Sequence, residues 1–386
     1  MNYVSFSPNF PPNYLPFCVQ LRRMGANVLG LADSPYEELH ADLKAALTEY
    51  YRVSNQHNYD ELVRALGYFT HRYGKIDRLE SHNEYWLESD ARLRTDFNIP
   101  GFKTADMTGI KRKSEMKKRF LQAGIPVPRG RVCYTQAEAQ TLIDETGYPL
   151  VAKPDVGVGA NKTYKIRNQE ELEAFFKDKP AVDYILEEFI EADIQTYDGL
   201  VDQDGQVVFS SSLEYNAGVM DLVNQGLDLW YYIHRQIPEE LESIGRKLVK
   251  IHRLRERFFH FEFFRTTEGS YIGLEVNMRP PGGLTPDMWN YANDFDIYRE
   301  YANVVINNRF EANITRSYYC AYIGRRWWRS YRLSHDEVLA TFPEHLVYHQ
   351  PMSGVFAPAM GDYGYLARSP DLNELAEIAE AIQEVV

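Results

Sequence analysis

The chain has 386 residues, enough for two or three domains with a large buried core. Its formal net charge of -13 argues against a nucleic-acid partner, because nucleic-acid phosphates would be repelled. It has no run of 18 apolar residues, and its first 17 residues hold four prolines and no basic residue, so neither a membrane span nor a secretory signal is predicted. The three cysteines are far apart, which argues against a zinc site or a disulfide framework and favours a reducing, cytoplasmic setting.

The first hundred residues alternate short apolar strands with helices. Strands are predicted at 3–7, 27–31, 50–53 and 76–79, and helices at 37–47 and 59–73. This alternation is typical of a parallel, doubly wound sheet, and the missing GxGxxG pattern argues against a dinucleotide site. Residues 80–84 follow the end of a strand, where such sheets bind ligands. His82 and Glu84 are therefore candidate substrate contacts, with capping of the next helix as the alternative.

A basic helix is predicted over residues 108–123. Six cations fall within nine residues: Lys111, Arg112, Lys113, Lys117, Lys118 and Arg119. Such a run is usually a solvated face, but in an acidic chain it is a local reversal of sign that can steer a polyanion such as ATP. Gly124 ends the helix, and the two prolines that follow it favour extended backbone.

An apolar strand ending at Lys153 leads into a loop with two glycines, Gly157 and Gly159. Glycine lets the backbone approach phosphate closely, and the N–H groups of such a loop can cradle it. The Walker pattern is missing, so the loop alone is a weak signal. Together with Lys113, it favours a site for nucleotide phosphates.

Two segments, 258–264 and 271–279, alternate with period two and predict a β-hairpin. A loop of two or four residues centred on Glu268-Gly269 sets Glu262 opposite Glu275 and His260 opposite Asn277. The predicted polar face holds His260, Glu262, Gly273, Glu275 and Asn277. The predicted apolar face holds Phe259, Phe261, Phe263, Ile272, Leu274 and Val276.

Two carboxylates directly opposed on a sheet repel each other unless a cation lies between them. Oxygen ligands on a rigid pair of strands suit Mg²⁺, which completes its shell with water and nucleotide phosphate. Arg279 is expected to point the same way and to neutralise a moving phosphoryl group. The alternative is that Glu262 and Glu275 lie on a solvated sheet face.

Before this hairpin in the chain, another hairpin is predicted over residues 194–215, with its turn at Asp204-Gly205. Helices are predicted at 238–254, from about 284 to 306, and at 373–385. A cluster over residues 325–332 combines four arginines with Trp327 and Trp328. Such a cluster can bind single-stranded nucleic acid, but packing and ion pairing are favoured in this acidic chain.

In this order and spacing, the motifs from about Thr108 to Ile306 resemble the ATP-grasp superfamily. The strands around Glu262 and Glu275 are most similar to its carbamoyl-phosphate-synthase-large-chain-like branch, which includes amino-acid ligases. The resemblance implies an α/β and α+β fold: a doubly wound pre-ATP-grasp domain over 1–107, a nucleotide-binding N-lobe with a flap loop over 108–190, and a C-lobe with the metal-binding hairpin and a C-terminal extension over 191–386.

The resemblance also implies roles for individual residues. Lys113 and Lys153 would contact nucleotide phosphates beneath a flap that includes Gly157 and Gly159. The adenine hinge would be Glu187, Glu188, Phe189 and Ile190, and Asp193 stands in for the usual ribose-binding acid. Two Mg²⁺ ions, or Mn²⁺ in their place, would be held by Glu262, Glu275 and Asn277, while Arg279 would stabilise the transferred phosphoryl group. Arg112 stands where the family often has Asp.

The activity implied by the resemblance is that of an ADP-forming carboxylate–amine ligase, which activates a carboxylate as an acyl phosphate with Mg-ATP. Its partners would be a small carboxylate and a small amine, and family habit favours a homodimer. Two alternatives stay open at this point. One is a carboxylase-type enzyme that phosphorylates bicarbonate, and the other is a nucleotide-binding regulatory protein with a vestigial site.

Overall fold

Three β-sheets with flanking helices build the chain in the computed structural model, which describes residues 1–157, 162–215 and 226–386. One four-stranded sheet is parallel, a second is antiparallel, and the third has nine strands. The combination confirms the predicted α/β and α+β fold. Among the described helices, none is both long enough and apolar enough to cross a bilayer.

The N-terminal sheet contains β1 (Asn2–Phe6), β2 (Asn27–Ala32), β3 (Glu49–Arg52) and β4 (Arg78–Glu80), with α1 (Leu15–Arg23), α2 (Ala41–Ala46), α3 (Tyr59–Tyr73) and α4 (Leu87–Asp96). Its order is β3-β2-β1-β4, and every neighbouring pair is parallel. Phe17 and Leu43 pack α1 and α2 on one face, while Leu66 and Leu93 pack α3 and α4 on the other. The predicted doubly wound arrangement is therefore confirmed.

One predicted helix in this part, 37–47, is wrong. A 3-10 turn at Tyr36–Glu38 and the short helix α2 replace it. His40 between them is extended, with φ −56° and ψ 143°, and its side chain accepts a hydrogen bond from the Asp42 N–H. This local side chain to backbone bond starts a new helix instead of continuing the old one.

The antiparallel sheet contains β5 (Gly130–Val132), β6 (Leu150–Pro154), β7 (Tyr164–Ile166) and β8 (Tyr184–Glu188), with nearby helices α5 (Thr108–Lys111), α6 (Lys113–Gln122), α7 (Gln136–Thr146) and α8 (Gln169–Asp178). Its order is β5-β8-β6-β7. Leu150 and Leu186 pack under α7 and α8. Because side chains alternate along a strand, Lys153 and Glu187 lie on the opposite face.

The predicted basic helix 108–123 is broken at Arg112, which corrects the continuous helix. Arg112 is extended, with φ −89° and ψ 118°, and forms a β-bridge with Val156. The buried Asp155 carboxylate accepts hydrogen bonds from the Ser114 N–H (2.8 Å) and from Arg112 Nη1 (2.9 Å). The break places Lys113 at the start of α6, against the end of β6.

The nine-stranded sheet contains β9 (Asp193–Val201), β10 (Val207–Ser211), β11 (Leu213–Tyr215), β12 (Trp230–Ile233), β13 (Arg257–Arg265), β14 (Tyr271–Asn277), β15 (Tyr319–Arg325), β16 (Leu346–Pro351) and β17 (Tyr363–Ser369). The helices of this part are α9 (Glu239–Ile251), α10 (Thr285–Asn293), α11 (Ile297–Asn307), α12 (His335–Thr341), α13 (Ala357–Met360) and α14 (Leu372–Gln383). The strand order is β14-β13-β9-β11-β12-β15-β17-β16, with β10 paired to β9.

The predicted hairpin turn at Asp204-Gly205 joins β9 to β10 and is confirmed. The helix predicted to run from about 284 to 306 is instead two helices, α10 and α11. They are separated at Asp294, whose left-handed backbone (φ 54°) ends α10. Carboxylate residues adopt this conformation more readily than most, so Asp294 acts as a helix stop.

One face of β13 is buried in a hydrophobic core. Phe259, Phe261 and Phe263 pack with Phe120 of α6 and Leu248 of α9. Since alternate residues of a strand share a side, His260 and Glu262 must face the other way, towards the antiparallel sheet and its lysines.

Candidate active site

The predicted pairing of the hairpin is confirmed at the polar side chains that face the candidate site. Glu262 lies opposite Glu275, and His260 lies opposite Asn277. Strand β14 is the outer strand, and β13 also pairs with β9, which sets Asp198 beside His260. A row of ionisable side chains therefore crosses three adjacent strands.

The predicted turn of this hairpin is wrong, although its register at Glu262 is right. The loop between Thr266 and Ser270 has three residues and ends at Gly269, whose φ of +86° suits glycine. A β-bulge then shifts the register between Glu262 and Phe263, so that Phe263 pairs with Gly273. The three-residue loop shifts the pairing by one residue, and the extra residue of the bulge shifts it back. Glu262 and Glu275 are therefore paired as predicted.

The bulge also corrects the faces assigned to the start of β14, because an extra residue reverses the alternation. A Cβ on Gly273 would lie 2.3 Å from the Phe120 ring, so Gly273 faces the core and not the polar site. Tyr271 is buried in that core, whereas Ile272 and Leu274, predicted there, are only half-buried and outside it.

Cations already accompany each of the opposed carboxylates. Lys113 Nζ lies 3.2 Å from Glu275 Oε1, and His260 Nε2 lies 3.1 Å from Glu262 Oε1. Burial alone would lower the pKa of His260, but Asp198 and Glu262 raise it to about 9, so the imidazole is positively charged at neutral pH. The site is thus built to hold positive charge against Glu262 and Glu275.

Asp198 is a site residue that the sequence analysis missed. It is fully buried, its Oδ1 lies 2.7 Å from His260 Nδ1, and its Oδ2 accepts a hydrogen bond from the Thr196 hydroxyl at 2.6 Å. The available signal was a carboxylate inside a predicted strand, shortly before the apolar residues Leu200 and Val201, since a buried charge needs a partner. Asp198 orients the imidazole that contacts Glu262.

The lysines predicted to bind phosphate are brought together with the hairpin. Lys113 Nζ donates to the Gly157 carbonyl (3.1 Å), and Lys153 Nζ lies 2.7 Å from Glu187 Oε2. The other Glu187 oxygen lies 3.1 Å from Lys117 Nζ. Gly159, predicted in the same loop, lies outside the described residues.

Lys117 was counted in the basic run but was not singled out. It follows Lys113 by four residues, so both side chains leave α6 on the same face, which was the available signal. Lys117 Nζ also donates to the carbonyls of Gly273 (3.2 Å) and Leu274 (3.0 Å) at the bulge. Burial lowers the pKa of Lys117 to about 8. Burial would raise the pKa of Glu187, but the two lysines hold it below its usual value.

In the predicted adenine hinge, 187–190, most hydrogen-bonding groups already have partners within the protein. The Glu187 side chain is occupied by lysines, and that of Glu188 pairs with Arg129 at 2.6 Å. The N–H groups of Glu188 and Phe189 bond to the carbonyls of Arg129 (2.9 Å) and Pro149 (3.1 Å). The Ile190 N–H has no hydrogen-bond acceptor within the described part of the chain. Asp193 opens β9 with an exposed side chain.

Of the two candidates in the loop after β4, Glu84 reaches the site. Its Oε1 lies 2.8 Å from Lys111 Nζ, and its Oε2 lies 3.7 Å from Arg279 Nε. His82 instead stacks on Phe17 at 4.3 Å in the core, where burial lowers its pKa to about 4. The alternative, that His82 or Glu84 caps the next helix, is wrong, because no side chain forms a capping hydrogen bond at the start of α4.

The arginines of the cluster over residues 325–332 are packed or ion-paired, as the favoured alternative predicts, but Trp327 and Trp328 are 68% and 67% exposed, so the predicted packing is wrong for the tryptophans. Arg329 lies 3.0 Å from Asp228, Arg332 lies 2.8 Å from Glu384, and Arg325 lies over the Tyr331 ring. Arginine stems and guanidinium groups that are used in this way are not free for a polyanion.

The opposed carboxylates fit Mg²⁺ by the chemistry of their donors. Glu262 and Glu275 supply oxygen, and the Asn277 amide lies 3.4 Å from Glu262 Oε1. Across the described residues, no group of three or more His, Cys, Asp or Glu side chains converges as a complete metal cage. Mg²⁺ does not need one, since it commonly binds one or two carboxylates and keeps water and phosphate as its other ligands.

Comparison with known proteins identifies the domain that carries these residues. Residues 146–287 match the family model described as an ATP-grasp domain. The "L-arginine-specific L-amino acid ligase" of Bacillus subtilis is 25% identical over 258 residues, which cover 61% of this chain and 61% of that protein. A carbamoyl phosphate synthase large chain from Deinococcus radiodurans is 32% identical over 109 residues, 26% of this chain and 10% of that one.

A solved structure gives the same result at the level of the fold. The crystal structure of an L-amino acid ligase from Bacillus licheniformis superposes with a TM-score of 0.77 at 15% identity, covering 100% of this chain and 98% of that one. The resemblance to the ATP-grasp superfamily is therefore confirmed, and the chain has the fold of an ATP-grasp ligase. It spans 61% of the length of the curated B. subtilis ligase.

Proposed function

We propose that this chain, whose residues 146–287 form an ATP-grasp domain, is an ADP-forming ligase that joins a small carboxylate to a small amine. One observation carries the proposal. The two opposed carboxylates, Glu262 and Glu275, face the cations Lys113 and Arg279 on one partly buried surface. Phosphoryl transfer needs such a surface, because the charge on the moving group must be neutralised from several sides.

For the nucleotide, we assign Lys113 and Lys153 to the phosphates, with Gly157 beside them. Both ammonium groups point at the same face as Glu275 and Glu187. The hinge 187–190 would border the adenine, and the Ile190 N–H is its unused donor. Asp193 is our candidate for the ribose hydroxyls, because its side chain is exposed next to that hinge.

For the metal, we assign Glu262, Glu275 and Asn277 as ligands of two Mg²⁺ ions, with Mn²⁺ as a substitute of similar ligand preference. When bound, the ions would neutralise the transferred phosphoryl group and orient it. The groups that this chain itself contributes are Arg279 and the pair Asp198–His260. Burial would raise the pKa of Glu262, but His260, Arg279 and Lys113 hold it low and keep the carboxylate ionised.

The chemistry follows in two balanced steps. A carboxylate oxygen of the first substrate attacks the γ-phosphorus of ATP, the bond to the β,γ-bridging oxygen breaks, and ADP leaves. The amine of the second substrate then attacks the acyl carbon, loses a proton, and expels inorganic phosphate to leave an amide. Arg279 is placed to stabilise the phosphoryl charge in both steps, because the same group is transferred and then expelled.

The substrate pockets would be built from the N-terminal loop and the turn after Arg279, which touch each other. The Tyr14 hydroxyl donates to the Pro281 carbonyl (2.9 Å), and Asn13 Nδ2 donates to the Gly283 carbonyl (2.8 Å). We retain the domain division 1–107, 108–190 and 191–386, a homodimer and a cytoplasmic location as further proposals. Gel filtration with light scattering tests the dimer.

The test is a screen for ATP consumption with Mg²⁺ against pooled amino acids and small carboxylic acids, with and without bicarbonate. ADP and phosphate released only when a carboxylate and an amine are both present, with a condensed mass in the products, support the ligase. Release that depends strictly on bicarbonate supports the carboxylase. Nucleotide binding without turnover in any pool supports the regulatory protein. The matched control is Glu275→Gln, which should be inactive in every pool.

A further inference from the structure

A large cationic crevice lies apart from the proposed active site. Its volume is about 750 Å³, within the usual range of small-molecule sites. Six of its lining residues are basic, Arg119, Lys250, His252, Arg253, Arg255 and Arg257. Of the described lining residues, only Asp106 is acidic, and its carboxylate accepts a hydrogen bond from the Lys103 N–H. The chain has a net charge of -13, so the crevice is a positively charged region on an acidic protein.

His252 is neutral at pH 7, because burial lowers the pKa of its imidazole to about 3, and most of the other five basic residues have no carboxylate partner. Arg257 is paired with the buried Glu80. Within the described part of the chain, Arg119, Lys250, Arg253 and Arg255 make no salt bridge to any acidic side chain. Four uncompensated charges around one cavity repel one another, and an anion bound among them would relieve that repulsion.

Stabilisation of helix C-termini explains only some of the positive charges around the crevice. Helices α6 and α9 both end at the crevice, and a cation near a helix C-terminus complements its partial negative charge. Arg119 does so by donating to the Ile251 carbonyl at 3.3 Å, and Lys250 lies in the last turn of α9. Arg253 and Arg255 lie beyond the helix and are not needed for this purpose.

A buried polar atom points to a ligand independently of the charges. His252 lines the crevice with only 7% of its surface exposed, and its Nε2 has no hydrogen-bond partner among the described residues. Buried polar groups without partners are uncommon in native proteins and are satisfied by water, ions or ligands. The imidazole is therefore a candidate hydrogen-bonding contact for a ligand in the crevice.

We infer that this crevice is a second ligand site, for a small organic molecule that carries one or more phosphate groups. Guanidinium groups match phosphate geometry, and three arginines lie free of carboxylates around the cavity. Phe102, Ile110 and Ile251 form an apolar wall that suits the organic part of such a molecule.

The crevice is distinct from the proposed nucleotide site. Arg257 has the same strand parity as Phe259 and Phe261, on the face of β13 that packs against α6 and α9, whereas Glu262 lies on the other face. Lys113 and Arg119 are six residues apart on α6, which is about 9 Å along the axis. Besides helix α6, the strands link the two sites: Arg257 Nη1 donates to the carbonyl of Met278, next to Arg279 (2.8 Å).

Calorimetric titration of the full chain tests this inference. Fructose 1,6-bisphosphate, ribose 5-phosphate and citrate are titrated separately, with and without Mg-ADP at the nucleotide site, because Mg-ADP also carries phosphate groups and can compete at the crevice. We expect at least one of the two sugar phosphates to bind with one site per chain and to bind at least tenfold more tightly than citrate. The triple variant Lys250→Gln/Arg253→Gln/Arg255→Gln should weaken this binding at least tenfold.

The matched control is Arg23→Gln/Arg64→Gln/Lys177→Gln, which removes the same charge from exposed positions that do not line the crevice and should leave binding unchanged. His252→Phe keeps a ring of similar size and should weaken binding threefold or more. No binding of either sugar phosphate, equal binding of citrate, or equal losses in the two triple variants would overturn the inference. It does not depend on the ligase proposal: if Mg-ADP fails to bind, that proposal fails, and the same titrations without Mg-ADP still test the crevice.

Discussion

A single buried carboxylate, Glu187, holds two lysines at the candidate phosphate site, and replacing it by glutamine should be costly. Glu187 is 3% exposed, and its oxygens lie 2.7 Å from Lys153 Nζ and 3.1 Å from Lys117 Nζ. Glu187→Gln leaves two buried ammonium groups without a counter-charge. Removing one partner of a buried ion pair typically costs about 3–5 kcal/mol, and we expect a loss in that range at pH 7.

The loss should shrink as the pH rises, because a buried lysine can release its proton. Burial already lowers the pKa of Lys117 to about 8 from an ordinary value of 10.5, so at pH 9 Lys117 is mostly neutral in the native wild type and gains no further penalty. Lys153 can then become neutral at a cost of about 1.36 kcal/mol for each of roughly 1.5 pH units, or about 2 kcal/mol. The destabilisation at pH 9 is therefore expected near about 2 kcal/mol.

Thermal unfolding at pH 7 and pH 9 measures this difference. If the chain unfolds as one unit, a loss of 4 kcal/mol corresponds to a fall in Tm of about 5 °C. Glu188→Gln is the matched control, since Glu188 is the next residue and pairs with the exposed Arg129, where a surface ion pair is worth about 0–1 kcal/mol. Equal Tm shifts for the two variants, or a shift for Glu187→Gln that does not shrink at pH 9, would refute the reasoning.

Three further predictions follow from the same contacts. Glu275→Gln should lower kcat at least about a hundredfold with the fold retained, whereas Glu268→Gln at the hairpin turn should be neutral; normal turnover of Glu275→Gln would remove the hairpin from the mechanism. Lys153→Ala should raise the KM for ATP more than the KM for the carboxylate, and the reverse pattern would assign Lys153 to the substrate. Burial raises the pKa of Asp287 to about 7 from 3.8, so the contribution of this carboxyl group to the free energy of unfolding should fall as the pH rises from about 4 to about 7. The Tm of the wild type relative to that of Asp287→Asn should therefore fall over this range, and a constant difference would contradict the assignment.

The hairpin shows what the sequence can and cannot predict. Period-two alternation was enough to pair Glu262 with Glu275, because a strand with one buried face has little freedom of register. The three-residue loop and the bulge were not predicted, and the pairing at Glu262 is right because the register shifts that they cause are equal and opposite. Gly273 was therefore assigned to the wrong face, even though the nearby metal-ligand candidates were paired correctly.

Contacts from distant parts of the chain account for two other differences. Arg112 interrupts a run with good helix propensity because Asp155, 43 residues later, takes the Ser114 N–H and the Arg112 guanidinium. Asp198 was missed because its partner His260 is 62 residues away and only the β9–β13 pairing brings them together. Local patterns predict elements and faces, but they do not reveal which distant side chain completes a site.

The central claim is that a carboxylate is activated by ATP as an acyl phosphate on the surface formed by Glu262, Glu275 and Arg279. The most direct test uses the substrate pair found in the screen, with ¹⁸O in both carboxylate oxygens, and mass spectrometry of the released phosphate. Transfer to the γ-phosphorus predicts one ¹⁸O in the phosphate for every amide formed, with ADP as the nucleotide product. Phosphate without ¹⁸O, or AMP and pyrophosphate as products, would contradict the account.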